Sequence, residues 1–194
     1  MEKVTLNGRE IIYEKFYRRV KSPRLEFENG MLYLILPLKF TEERRLLENH
    51  SGWIIKQMDR FEELKEASKT LKLKEGADTA EFKASVEKIV RAFSAELNVE
   101  TGKILFRKFK GRWGSCGNDG RITVNTLLMF LPDRLIEYIL FHEVAHRVEK
   151  GHNRRFYAII IDKFGDRKPI ERELAAYWHL IKHSKPLHGN GQKI

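Results

Sequence analysis

The chain has 194 residues, 42% hydrophobic and 33% charged, with a formal net charge of +10 and a pI near 9.7. That balance describes a globular chain long enough for a substantial core and excludes a disordered or low-complexity polymer. A single cysteine, Cys116, excludes an internal disulfide and a cysteine-built zinc ribbon, and no apolar run approaches the ~20 residues that span a bilayer, so no membrane partner is expected.

The first elements read as strands. Asn7-Gly8 separates Val4-Thr5-Leu6 from Ile11-Ile12-Tyr13, and Asn29-Gly30 separates Leu25-Glu26-Phe27-Glu28 from the run Met31 to Leu36. Asn and Gly both accept positive φ, so each pair predicts a tight hairpin and the two together a small antiparallel sheet. The opening Met1-Glu2-Lys3-Val4-Thr5 lacks the apolar centre of a signal peptide, which sets the expectation of a cytoplasmic protein.

From Thr41 the period changes to helical, with Leu46, Leu47, Trp53, Ile54, Met58, Phe61 and Leu64 recurring every three or four residues and Ser51-Gly52 as a candidate break. Lys65 to Ala77 is rich in Lys and Glu and poorly periodic, which predicts a surface connection. The expected division is a hairpin-and-helix region over 1–77, a catalytic region over 78–184 packed with it into one unit, and a flexible tail over 185–194 that carries His188.

Asp78 with Glu81 three residues on resembles a capping box, and Phe82, Val86, Ile89, Val90, Phe93 and Leu97 continue it as a long helix. Ile104 to Phe109 alternates as a strand. Arg112–Cys116 and Arg121–Asn125 read as a hairpin around Gly117-Asn118-Asp119-Gly120.

The next helix carries the chemistry. Pro132 suits a first helical turn and Asp133 sits at the positive end of the dipole. Leu135, Ile136, Tyr138, Ile139, Leu140, Phe141, Val144 and Ala145 make the segment apolar on nearly every side, so it is expected to be buried. Within it stands His142-Glu143-Val144-Ala145-His146. Residues four apart share a helix face about 6 Å apart along the axis, so His142 and His146 can close on one ion. Glu143 falls on the flank of that pair, the position of a general base acting on a water beside the metal. Buried imidazoles and a carboxylate need partners, and a divalent cation supplies one.

Gly151 is expected to stop this helix in a left-handed conformation, and Asn153 to cap a further helix carrying Phe156, Ile159 and Ile160. His152, on the turn between them, is then the third ligand, with Glu171 or Glu173 of the last helix, Pro169 to Lys182, as competitors. Cys116 reads as a small buried residue rather than a nucleophile.

The basic residues gather in Arg18-Arg19-Val20-Lys21 with Arg24, and in Lys103, Arg107, Lys108, Lys110 and Arg112. A generally basic surface is the first account of the excess charge, and contact with nucleic acid or another polyanion is the second.

The block Arg112-Trp113-Gly114-Ser115-Cys116, a strand ending in Asn125, Leu131-Pro132, the histidine motif, His152 and Phe156 resemble the YgjP-like metallopeptidase-domain family, as do the Asn29-Gly30 hairpin and the Trp53-Ile54 helix. The chain departs from the family's pattern at Gly151, Asn153 and Tyr157. The resemblance implies an α+β fold with a zincin-like catalytic domain and a more distant kinship to SprT-like proteases. It implies Zn2+ on His142, His146 and His152, with Glu143 as catalytic carboxylate. By analogy with zincins, an extended peptide would lie along Arg112–Cys116 or Arg121–Asn125, which makes Arg112, Ser115, Asn125 and Tyr157 the expected substrate contacts. Arg112, Tyr157, Tyr177 and His179 are candidate donors to the transition state. A zinc-dependent peptidase is the leading reading. A metal-dependent hydrolase of nucleotides or other phosphorylated small molecules, and a nucleic-acid-binding module with a structural metal, are its competitors.

Overall fold

A computed structural model of the chain describes residues 1–76 and 78–184; the tail expected over 185–194, His188 included, lies outside the described residues. The chain divides into two compact units, Met1–Lys69 and Thr70–Ile194. No described helix is long and apolar enough to cross a membrane.

The first unit opens with strands β1 (Glu2–Leu6), β2 (Arg9–Arg18), β3 (Arg24–Glu28) and β4 (Met31–Pro37). Asn7 and Gly8, at φ 49° and 77°, and Asn29 and Gly30, at 53° and 82°, make the two tight turns that the Asn-Gly pairs predict. The order is β1-β2-β4-β3, and β2 runs parallel to β4, from Tyr13 opposite Leu32 to Arg18 opposite Pro37. The sheet is therefore mixed rather than purely antiparallel. The second hairpin docks with β4, its most apolar strand, against β2, which buries Leu32, Leu34 and Leu36 completely. Helices α1 (Glu43–Asn49) and α2 (Ser51–Ser68) follow, broken at His50, with Leu47 and Ile54 buried in the same core. The first four residues of the Lys- and Glu-rich stretch, Lys65 to Ser68, are thus the last turn of α2, and the connection begins after them.

The second unit contains α3 (Thr79–Glu96), β5 (Ile104–Arg107), β6 (Gly114–Cys116), β7 (Ile122–Asn125), a 3-10 turn (Thr126–Phe130), α4 (Asp133–Ala145), α5 (Arg154–Phe164) and α6 (Arg167–His183). The Asp78 carboxylate accepts from the N–H groups of Ala80 and Glu81 and so caps α3 as its spacing predicts. The sheet has the order β5-β7-β6, with β5 parallel and β6 antiparallel to β7, so β6 is an edge strand. This mixed pairing again differs from an all-antiparallel expectation, because β7 turns back from β6, runs in the direction of β5 and inserts between the two.

Helix α4 is the centre of this unit. It buries Leu135, Ile136, Tyr138, Ile139, Leu140, Phe141, Val144 and Ala145, and it packs on α3, α5, β6 and β7. Phe93 of α3 and Phe164 of α5 meet Phe141 edge to face at 5.1 and 5.4 Å. The helix ends earlier than Gly151, at Ala145 with His146 as its C-cap. Arg147 and Val148 donate back to Val144 and Ala145 in tight turns, so no left-handed glycine is needed, and Gly151 is not among the positive-φ residues.

Candidate metal centre

His142 lies on the last full turn of α4, His146 at its C-cap, and His152 on the short connection to α5. Asn153 ends that connection by accepting, through its side-chain oxygen, the N–H groups of Arg155 and Phe156. The cap fixes the start of α5 and places Phe156 beneath the histidines. Phe156 is fully buried, and its ring centroid lies 4.8, 4.5 and 4.9 Å from those of His142, His146 and His152, stacked on the second and edge-on to the others. One apolar side chain therefore braces all three imidazoles.

The donor atoms of the three rings lie within 4.8 Å of one another, and His142 Nε2 stands 3.0 Å from His152 Nε2. His146 Nδ1–H donates to the Glu149 carbonyl at 3.2 Å, the tautomer that leaves Nε2 with a free lone pair. Burial, reinforced by the neighbouring His146 and His152, pushes the His142 pKa down to about 3; burial also lowers that of His146. These two rings are therefore neutral at neutral pH, the form in which imidazole binds a metal. Three imidazole nitrogens converging on one point fit a tetrahedral ion with a fourth position for water or substrate.

Glu143 stands beside this cluster. Its side chain is almost fully buried, and burial raises its pKa to about 7 against the opposing pull of the Arg112 charge and a hydrogen bond from the Cys116 N–H. The hydrogen bond comes from the edge strand. In the β6–β7 pair, Asn125 N–H donates to Trp113 and Gly117 N–H to Arg121, so Trp113, Ser115 and Gly117 face β7 while Gly114 and Cys116 turn their backbone groups outward. A Cβ at Gly114 would lie 2.8 Å from Glu143 Oε1 and 2.9 Å from its Cγ. Only glycine lets the strand approach the carboxylate this closely.

A cleft of about 510 Å³ opens over the site between the segment Arg112–Cys116 on one wall and Tyr138, Ile139, His142, Glu143 and His146 on the other. Lys150, His152, Glu171 and Leu174 complete it. Arg112 and Ser115, expected as substrate contacts, line this cleft. Asn125 is fully buried instead: its Nδ2 donates to the carbonyls of Arg112 (2.7 Å) and Phe109 (3.3 Å), and its Oδ1 accepts from Leu127 N–H. It shapes the loop that leads into β6. Tyr157 lies outside the cleft lining, with the Arg167 guanidinium 3.9 Å from its ring centroid.

Glu171 lines the cleft but is bound to Arg167 (2.7 and 2.5 Å) and to the Tyr138 hydroxyl, and Glu173 pairs with Arg134. Neither belongs to the histidine cluster. Tyr177 is buried, its hydroxyl on the Lys72 carbonyl, and the His179 ring lies 4.4 Å from that of His183, tilted by 35°; neither lines the cleft. Cys116 is half-buried, and burial, with the nearby Glu143, pushes its thiol pKa up, away from nucleophilic character. Gly114, Phe156 and Tyr138 are roles that sequence reasoning did not assign. The block Trp113-Gly114-Ser115 and the position of Phe156 three residues after a capping Asn were the available signals.

Comparison with known proteins decides the kinship. A family model described as YgjP-like, metallopeptidase domain, matches residues 68–177, more than half of the chain. The chain belongs to this family. No curated protein sequence matches it. The solved structures similar to it include two metallopeptidase zymogens. Abylysin of Pyrococcus abyssi is 23% identical, with 45% of this chain and 87% of that one covered and a TM-score of 0.41. Jannalysin of Methanocaldococcus jannaschii is 23% identical, with 46% and 90% covered and a TM-score of 0.41. As a YgjP-like chain, this protein carries a metallopeptidase domain whose described portion holds the histidine cluster, the edge strand and the cleft.

Two outcomes follow from this packing. Gly114→Ala should displace Glu143 or lift β6 while leaving the histidines in place; a shift near 1 Å costs on the order of 10²-fold in rate. Peptide hydrolysis should fall by about that factor with metal content unchanged, as read by elemental analysis and a rate assay on one preparation. Phe156→Ala removes the brace under all three rings and a fully buried aromatic, at about 3–5 kcal/mol. Thermal unfolding should show a lowered midpoint, and a chelator competition should show weakened metal retention.

Proposed function

We propose that this chain is a zinc-dependent peptidase in which His142, His146 and His152 hold the ion and Glu143 moves the proton. The observation that carries the reading is the convergence of three imidazole donors within 4.8 Å on the floor of a cleft whose wall holds a buried carboxylate outside the donor set. Zinc suits an all-nitrogen, closely spaced set and supplies a Lewis acid that lowers the pKa of a water toward ~7.

The remaining work belongs to the chain's own groups. Glu143 accepts the proton of the attacking water at a carboxylate oxygen and delivers it to the leaving amine nitrogen. The Cys116 N–H and the absence of a side chain at Gly114 hold that carboxylate in one orientation. An extended substrate pairs its backbone with the outward-facing groups of Gly114 on the edge strand, which sets the scissile carbonyl across from the histidines. The buried face of α4 beneath the cleft keeps the site rigid.

Glu143→Gln keeps the shape of the wall but removes the proton acceptor. Hydrolysis of a casein or mixed-peptide substrate should drop by at least about 10³-fold, with one zinc per chain still found by metal analysis. Activity within a few fold of wild type would remove Glu143 from its role. His152→Ala leaves two ligands, and the expected result is substoichiometric zinc after dialysis. Full zinc in that variant would assign the third ligand elsewhere.

A further inference from the structure

We infer that the cleft selects peptides with an acidic side chain close to the scissile bond, read by Arg112 and Lys150; this rests on the peptidase reading above. Four charged side chains other than the histidines line the cleft: Arg112, Lys150, Glu143 and Glu171. The two acids are already matched. Glu171 gives both carboxylate oxygens to Arg167 and receives the Tyr138 hydroxyl, and Glu143 is nearly buried beneath β6 with the Cys116 N–H as donor.

The two cations are not tied down in the same way, although the Arg112 charge does act on Glu143. Arg112 and Lys150 are exposed, and among the described residues neither side chain takes part in an ion pair or a hydrogen bond to a carboxylate. The guanidinium of Arg112 rests over the Phe109 ring at 5.0 Å, which holds it without neutralising it. Its backbone is pinned by the buried Asn125 at the point where the loop becomes the edge strand. Lys150 lines the same cleft from the connection between α4 and α5, between His146 and His152 in sequence. A peptide laid along β6 thus passes one cation at the strand wall and another at the connection to α5.

The surroundings extend this bias. Lys103, Arg107, Lys108 and Lys110 precede Arg112 in sequence, on β5 and the loops at its two ends; all four are exposed, and none belongs to an ion pair among the described residues. A half-open cleft weakens screening relative to free solution, so one well-placed charge contact is worth roughly a tenfold change in affinity. Acidic residues are the complementary choice, and basic ones are disfavoured by the same field.

The test separates recognition from turnover. Zinc-loaded Glu143→Gln protein is titrated into fluorescein-labelled octapeptide mixtures that hold Asp, or its isostere Asn, at one fixed position, with binding read by fluorescence anisotropy. The Asp mixture should bind about tenfold tighter at one or two positions. That preference should fall to threefold or less when Arg112→Gln and Lys150→Gln are combined on the same background, and it should shrink as salt rises. Zinc content and the unfolding midpoint of the combined variant, unchanged from the background, exclude a collapsed site as the cause. Equal affinity for Asp and Asn mixtures at every position overturns the preference while leaving the peptidase reading in place. No binding of any peptide overturns both. A short DNA duplex that outcompetes the acidic peptides and loses its hold in the Arg112 and Lys150 variants assigns the two cations to nucleic acid and overturns the inference.

Discussion

The contact between β6 and Glu143 is the constraint from which the site is built. Helix α4 is apolar around almost its whole circumference and must be buried, yet it carries a carboxylate into that buried face. An ionisable group there is tolerated only with a hydrogen-bond donor at hand, and the donor is the Cys116 N–H of an edge strand. The strand can come near enough only where no Cβ intervenes, at Gly114. One packing contact therefore places the edge strand, orients the carboxylate and leaves a cleft along the line where strand and helix meet.

The histidines pose the complementary problem. His142 and His146 follow from one turn of helix, but His152 must return over a short connection and meet them within bonding range of a common point. The ring nitrogens of His142 and His152 come within 3.0 Å of each other, and neighbouring contacts fix that approach. Phe156 imposes it from below, and the Asn153 cap fixes where Phe156 stands. The Glu149 carbonyl adds the tautomer of His146. The site's geometry is thus a property of the first turn of α5 as much as of the helix that carries the motif.

The parts of this structure that were legible in the sequence are those whose causes are local. Asn7-Gly8 and Asn29-Gly30 announce turns because both residues accept positive φ, Asp78 and Asn153 announce caps because their side chains reach the N–H groups two and three residues on, and the spacing of His142 and His146 is a helical turn. What stayed hidden depends on partners far along the chain. The parallel pairing of β2 with β4 and of β5 with β7 is decided by which faces must be covered, and no local pattern encodes it. Asn125 looked like a residue at the mouth of a substrate groove, yet it is spent on carbonyls 13 and 16 positions back. Gly151 looked like a stop, but tight turns close the helix end without it.

The net charge shows the same difference between amount and place. A total of +10 is compatible with a uniformly basic surface or with a directed one, and composition alone carries no position. In the cleft the carboxylates are internally matched, by Arg167 and Tyr138 or by a backbone donor, whereas Arg112 and Lys150 face solvent. Glu171 lines the cleft yet is tied to Arg167 and is not part of the histidine cluster, while the buried Glu143 feels the Arg112 charge without a hydrogen bond to it. The ion pair between Arg167 and Glu171 therefore satisfies this carboxylate within the cleft wall, apart from the three histidines.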